Sequence, residues 1–466
     1  MTSPTALLQA SVLAMCAAPA AMAATLAITS LLGRRLGERS VALLTRVALL
    51  VALLGSLVAL FDRIAHPSAP TLIRFGSWFS FGEDAFSLDF VADAESLGFA
   101  LLAVGICGVV AVFSLRYLHR EPGFHRYFVQ FALFVLGIEL VALAGSIEVL
   151  FAGWELLGLS SVLLVGFFHE RRAPVQSAMR VFTVYRASDA AMLSAAVLLH
   201  HWAGSGSLSQ IFSGERVAGL GPERGVVIAT LLVLAVAGKS ALLPFSGWLP
   251  RAMEGPTPSS AVYYGALSIH AGCFLLLRAE PLLAESWVAR GLAVAAGAST
   301  AVYATLAARV QTDVKSALSY AALTQVGVIV VEIALGWTTL AFFHIAGHAC
   351  LRLLQFLSAP NVLHDLHELE DRVGGHLVAR DAPRRRSTAA YLFALERGFV
   401  DAMLDGLVVA PFHAVTARLD KLDRLLAGAP LRARATPDVP DVPDAPDAPD
   451  APDAPVGPDA RDGGSS

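Results

Sequence analysis

Charge is scarce in this chain. Of its 466 residues, 15% are Asp, Glu, Lys or Arg, against about a quarter in a soluble domain, while 56% are hydrophobic. Cysteine is scarce too. Cys16, Cys107, Cys273 and Cys350 lie far apart with no CxxC spacing, which argues against a zinc site, an iron-sulfur cluster or a disulfide framework. There is no dinucleotide fingerprint and no histidine pair placed for haem, so no cofactor or metal of its own is expected. The "GKS" at 238–240 has Val233 where a phosphate-binding loop needs glycine, and "HDLHE" at 364–368 matches no zinc protease pattern. A secreted enzyme and a nucleic-acid binder are both disfavoured.

What the chain has is apolar runs of bilayer length. They fall at 8–33, 41–61, 95–117, 127–145, 147–168, 176–200, 224–243, 259–278, 287–308, 314–336 and 338–358, each near the roughly 20 residues that cross a hydrocarbon core. The first lacks a basic segment before it and reads as a span rather than a signal peptide. Basic residues occupy alternate connections: Arg34, Arg35 and Arg39; Arg116, Arg120 and Arg126; Arg171 and Arg172; Arg309; Arg380 and Arg384 to Arg386. By the positive-inside rule the N-terminus faces outward and the C-terminus the cytoplasm, in the plasma (inner) membrane.

The fold class expected is therefore an all-α polytopic membrane protein of about eleven spans with a broken seventh helix. The connection 62–94 is acidic and Gly-punctuated, with the alternation of a small extracytoplasmic β-hairpin. The organisation reads as N-terminal spans and hairpin (1–94), core (95–358), cytoplasmic amphipathic segment (359–430) and a Pro/Asp-rich tail (431–466) too polar to bury a core.

An ionisable side chain inside a span costs roughly 2.5–3.5 kcal/mol on insertion scales, so such residues face protein or water and serve a purpose. Here they are Glu139, Glu148, Glu155, Arg186, Asp189, Lys239, His270, Lys315, Glu332, His344, His348 and Arg352, spread over successive spans. Glu155 is flanked by Gly153 and Gly158, which let a neighbouring helix approach. Lys239 precedes Pro244 and Pro250, which should break its helix beside a cavity. His344 and His348, at i and i+4, suit a proton relay better than a metal pair, because that span has no acidic ligand. A static ion pair that only fixes helix register is the competing account of the Glu and Lys residues.

Four strings, "GWELLGLSSVLLVGFF", "GKSALLPFSGWLPRAMEGPTPSSA", "TDVKSALSYAALTQVG" and "FFHIAGHACLRLLQFL", resemble the antiporter-like membrane subunits of respiratory complex I. Subunit L of bacterial NADH:quinone oxidoreductase is the nearest type, and the large subunits of multisubunit cation/proton antiporters share the motifs. The likeness covers roughly 75–358. It implies a hydrated proton channel in which Glu155 is the family's buried glutamate, Lys239 its broken-helix lysine, and Asp189 and Arg186 their neighbours. It also implies that Lys315 is the lysine of the "TDxK" motif and that His344 and His348 are the paired histidines of the eleventh helix. Partners would be other membrane and peripheral subunits, with protons or sodium moved across the lipid bilayer and no nucleic acid involved.

The chain departs from that pattern in three places. Tyr264 stands where the family has a histidine, and His270 follows six residues later. Six α-helical residues turn through roughly 600°, which puts His270 about 120° off that face, so Tyr264 is expected to support a water chain and His344 and His348 to titrate. Arg352 replaces a lysine and cannot release a proton near neutral pH. The family's distal lysine-bearing spans have no counterpart after 358, an apparent C-terminal shortening. The resemblance leaves three readings open: a proton-translocating subunit of a NADH:quinone oxidoreductase-like or cation/proton antiporter-like complex, the proton-coupled membrane subunit of a two-component inorganic-carbon (bicarbonate/CO2) uptake complex, or a scaffold that has lost transport.

Overall fold

An unbroken apolar run in a bilayer forms a helix, the one local structure that satisfies its own backbone groups. The computed structural model describes residues 5–67, 71–81, 84–204, 206–212, 220–311, 313–373, 388–395 and 400–426; the tail from 431 lies outside them. Its long helices are α1 (Ala6–Leu31), α2 (Glu38–Ala65), α3 (Ala94–Tyr117), α4 (Phe124–Leu143), α5 (Ile147–Val165) and α6 (Arg172–Ala203). They continue as α7 (Pro222–Lys239), α8 (Thr257–Arg278), α9 (Trp287–Ala308), α10 (Val314–Ala334), α11 (Thr338–Val373) and α12 (Ala410–Leu426). The protein is thus a polytopic, nearly all-α membrane protein.

Among the described residues, 11 helices are long and apolar enough to cross a membrane. Ten coincide with blocks read from the sequence. The eleventh, Ala402–Leu425, falls in the stretch expected to be amphipathic, and exposes Leu407, Leu419, Leu422 and Leu425 beside Arg418, Asp420 and Lys421. The seventh block forms α7, an 18-residue helix that carries Glu223, Arg224 and Lys239. The eleventh block runs 15 residues further than expected as one helix, to Val373.

Two compact units divide the chain, Met1–Phe412 and His413–Ser466, and the features below belong to the first. At its centre is α8, every residue of which is buried. This helix is not uniform: Ser260–Leu267 is π-helical. The outer helices expose Leu43, Phe61, Val302 and Phe343, as a surface facing lipid or other subunits must.

The expected hairpin is present. β1 (Leu72–Phe81) pairs antiparallel with β2 (Asp84–Val91), Arg74 opposite Asp89. The register slips beyond Arg74, where Gly76 takes φ +95°, a left-handed value that excludes most side chains. The hairpin is tied to the turn between α4 and α5: Gly145 N donates to Asp89 O at 2.9 Å and Ser146 Oγ to Ser87 O at 2.8 Å. At the same end Arg278 joins α8 to α3 through Asp93 (2.5 Å) and Glu95 (2.7 Å). Asp405, after α11, pairs with Arg180 of α6.

The broken helix ends earlier than its prolines suggested. Lys239 is the last residue of α7, and a loop with Ala241 at φ 54° leads to the short helix Trp248–Arg251. Side chains satisfy the freed backbone groups: Trp248 Nε1 donates to Gly238 O (3.0 Å), and Leu243 N donates to Thr300 Oγ1 (2.8 Å). That is how a non-helical stretch survives at membrane depth.

Candidate functional site

A lysine at a helix C-terminus meets the negative end of the helix dipole, which favours an ammonium there. The Lys239 side chain is 0% exposed. Its Nζ donates to Trp154 O at 3.2 Å, sits 4.8 Å from the Trp154 ring and 4.3 Å from the Tyr185 ring, and lies 3.9 Å from Asp189 Oδ1. At that separation the ion pair is worth about 4 kcal/mol at an effective dielectric near 20, which offsets part of the several kcal/mol that desolvation costs each ion. Gly158 makes the space. A Cβ there would stand 2.9 Å from Nζ, so this glycine receives the ammonium, whereas Gly153 packs against Gly137 of α4 as expected of a helix-contact glycine.

Glu155 and Lys239 do not touch directly. Arg186 and Asp189, one turn apart on α6, stand between them: Arg186 Nη1 contacts Glu155 Oε2 at 2.6 Å, and Arg186 Nη2 donates to Asp189 Oδ2 at 2.8 Å. Asp189 also accepts from Trp154 Nε1 at 2.6 Å. The four charges alternate in sign across three spans, from the partly exposed Glu155 (27%) to the fully buried Lys239. Two carboxylates and two cations leave no net charge.

A second cluster joins α8 to α11. His270 Nδ1 is 2.5 Å from Ala266 O, and a carbonyl only accepts, so Nδ1 carries the proton and Nε2 is bare. His348 Nδ1, 2.9 Å away, donates to that Nε2, and Arg352 Nε donates to His348 Nε2 at 3.0 Å. The donors all point one way, from Arg352 through two neutral imidazoles to Ala266 O. His344 faces α10, its Nδ1 3.0 Å from both oxygens of Glu332, with its ring 6.2 Å from that of His348. Both histidines line a cavity of about 270 Å³ with Gln325, Leu351 and Arg352. Tyr185 lies beside the first cluster, its ring over Lys239 and its hydroxyl near those of Ser161 and Ser268.

Comparison with known proteins identifies the family. Residues 144–375 match the family model "NADH:quinone oxidoreductase/Mrp antiporter, TM", and residues 78–128 match "NADH-Ubiquinone oxidoreductase (complex I), chain 5 N-terminus". The NADH-ubiquinone oxidoreductase chain 5 of Metridium senile is 31% identical over 353 residues, covering 75% of this chain and 58% of its own length. That of Sus scrofa is 32% identical over 313 residues, covering 66% and 50%. The chain belongs to the antiporter-like membrane subunits of complex I and its relatives. It spans about half the length of these curated relatives. Among solved structures, the Mrp complex from Dietzia sp. DQ12-45-1b superposes with a TM-score of 0.63 at 27% identity, covering 78% of this chain and 38% of the other. The archaeal membrane-bound sulfane sulfur reductase, an archaeal respiratory membrane complex, shares the fold at TM-score 0.64 and 19% identity, covering 84% and 77%.

In this antiporter-like subunit Glu155, Arg186, Asp189 and Lys239 come together, as do His270, His348 and Arg352. Tyr264 and His270 reach different helices, as their separation on α8 implies. Tyr264 OH donates to Ser161 O at 3.0 Å, while His270 reaches His348. Tyr264 sits in the π-helical stretch, where the α-helical phase of 100° per residue does not apply. Lys315 stays apart: it lies half-buried in the first turn of α10, capped by Asp313, and among the described residues no hydrogen bond or ion pair joins it to either cluster. Glu332 had been noted as a buried charge but not as the partner of His344, because the two sit on different spans. Glu139 is fully buried on α4 with neither oxygen hydrogen-bonded among the described residues.

Proposed function

We propose that this chain moves protons across a membrane as one subunit of a multisubunit respiratory or antiporter-type complex. What carries the reading is the alternating chain Glu155–Arg186–Asp189–Lys239, whose buried end has two ways to hold its charge. With Arg186 on Glu155, Asp189 is left to Lys239. If Arg186 takes Asp189 fully, Lys239 loses its counter-ion and desolvation favours release of its proton. A shift of one guanidinium therefore loads or unloads the lysine. The histidine wire is the next station, able to pass a proton by exchange of imidazole tautomers once Arg352 withdraws from His348.

Protons are favoured over sodium because the four-charge chain is neutral and offers a cation no surplus negative charge. Redox chemistry, where the complex has any, belongs to partner subunits. On this reading the N-terminus lies outside the plasma membrane and the Arg-rich connections inside. The named relatives lend the inorganic-carbon alternative no specific support.

The test is proton flux in vesicles holding the chain with its co-purifying subunits, measured with a pH dye in sodium-free buffer. Lys239→Ala should lower flux by about a hundredfold or more, the scale of a lost proton-transfer group, while the protein still folds. Unchanged flux would end the proposal, and flux that requires sodium would change the ion.

A further inference from the structure

The seam between α5 and α6 carries a second rung of charge. Glu148 lies seven residues before Glu155 on α5, two turns away on the same face and about 10 Å nearer the hairpin. Its Oε1 is 2.6 Å from Nε2 of His200 of α6, and the two side chains are 11% and 14% exposed. The antiparallel helices thus pair twice, Glu148 with His200 and Glu155 with Arg186.

The outer rung is enclosed. Gly206, in the connection after α6, lies against it so closely that a Cβ would stand 2.6 Å from His200 Nε2. Its carbonyl accepts from Ile147 N at 2.8 Å, which fixes the loop over the pair. Asp89 of β2 comes in from the hairpin, 4% exposed, with Ser87 Oγ on Oδ2 at 3.1 Å. Asp89 Oδ1 and Glu148 Oε2 are both buried without a hydrogen-bond partner among the described residues. Among the described residues the charged groups facing this site include His200 from α6, Asp89 from β2 and, opposite Asp89 in the hairpin register, Arg74 from β1. Two buried carboxyls with a spare oxygen each, beside one imidazole, have a vacancy that a shared proton fills: it turns one spare oxygen into a donor and relieves the like charges.

We propose that Glu148, His200 and Asp89 form a proton-binding site that lies at the hairpin end of the bundle and serves as the terminus of the Glu155–Lys239 chain. Its role as a terminus rests on the conduction reading; its existence as a proton site does not. Between the rungs the partly buried residues include Phe151 of α5 and Ala196 of α6, so transfer inward crosses about two apolar turns and requires transient water.

Infrared difference spectroscopy on the full chain, oriented one way in vesicles, separates these statements. A pH step on the hairpin side should change a carboxyl C=O band that is lost in Glu148→Gln and moved in frequency by His200→Gln and by Gly206→Ala. Glu148→Gln should also lower proton flux roughly tenfold or more. A band that persists in Glu148→Gln, or that answers first to a step on the opposite side, overturns the site. Loss of flux in Lys239→Ala with the Glu148 band absent from wild type would keep the conduction reading and remove the terminus. The band with no flux in wild type would do the reverse.

Discussion

The two clusters inside this membrane subunit solve the same problem in opposite ways. At Lys239 four charged side chains are held together by alternation of sign over three helices, with Trp154 and Tyr185 packed on the ammonium. Around His348 the imidazoles are neutral, and stability comes from donors aligned in one direction. An ionic chain can exchange partners without breaking its total charge, so it suits switching. A directed wire has one order of donors at a time and must turn over before it passes a second proton. On the proposed reading the switch and the conductor sit on different helices, α5 to α7 for the one and α8 and α11 for the other.

The sharpest way to break this comparison is Asp189→Ala. It leaves Lys239 and Arg186 facing each other across a buried gap, and removing one partner of a buried pair costs about 3–5 kcal/mol. Thermal unfolding in detergent should show that loss, and flux should vanish with it. His270→Ala comes next. It strips the acceptor from His348 Nδ1, which costs about 1–3 kcal/mol for an unpaired buried donor, and should lower flux by about tenfold or more. A Gly158→Ala variant should cost about 1–3 kcal/mol by overpacking and cut flux several-fold, because the added methyl occupies the seat of the ammonium. The smallest effect belongs to Tyr264→Phe, which removes one hydrogen bond worth about 1 kcal/mol and should leave flux within about twofold. A Tyr264→Phe variant more damaging than His270→Ala would return the path to the other face of α8.

The hairpin offers a separate, pH-dependent check. Burial, opposed in part by Ser87 and Arg74, pushes the Asp89 carboxyl above the usual carboxylate range. A raised acid pKa means that the folded state binds the proton more tightly than the unfolded chain. Its contribution favours folding at pH below the unfolded value and is lost as pH rises through the folded one. Asp89→Asn should remove that dependence, measured as unfolding temperature against pH on the acidic side of neutrality.

The spans were legible because hydrophobic length is a local property, and ten of the eleven blocks became apolar helices where the sequence placed them. The hairpin was legible for the same reason, from alternation and glycines. Partnership was less so. That Arg186 and Asp189 neighbour Glu155 and Lys239 was implied by the resemblance, but the order in which the four connect depends on the rotation of α6, which sequence does not fix. The π stretch at Ser260–Leu267 left no signal in residue type, and that His270 meets His348 of α11 could not be read from helix phase alone. Glu148 and His200 stood in plain view, 52 positions apart, and only the antiparallel seam joins them.

Trp154 touches the two buried members of the chain at once: its indole nitrogen donates to Asp189, its carbonyl holds Lys239, and its ring lies under the ammonium. An indole held between an anion and a cation is an optical voltmeter. Charge added at its ring shifts its emission one way, and charge removed at its nitrogen shifts it the other. Each loading and unloading of the lysine should therefore be written in the colour of one tryptophan, readable in the working protein with no label attached.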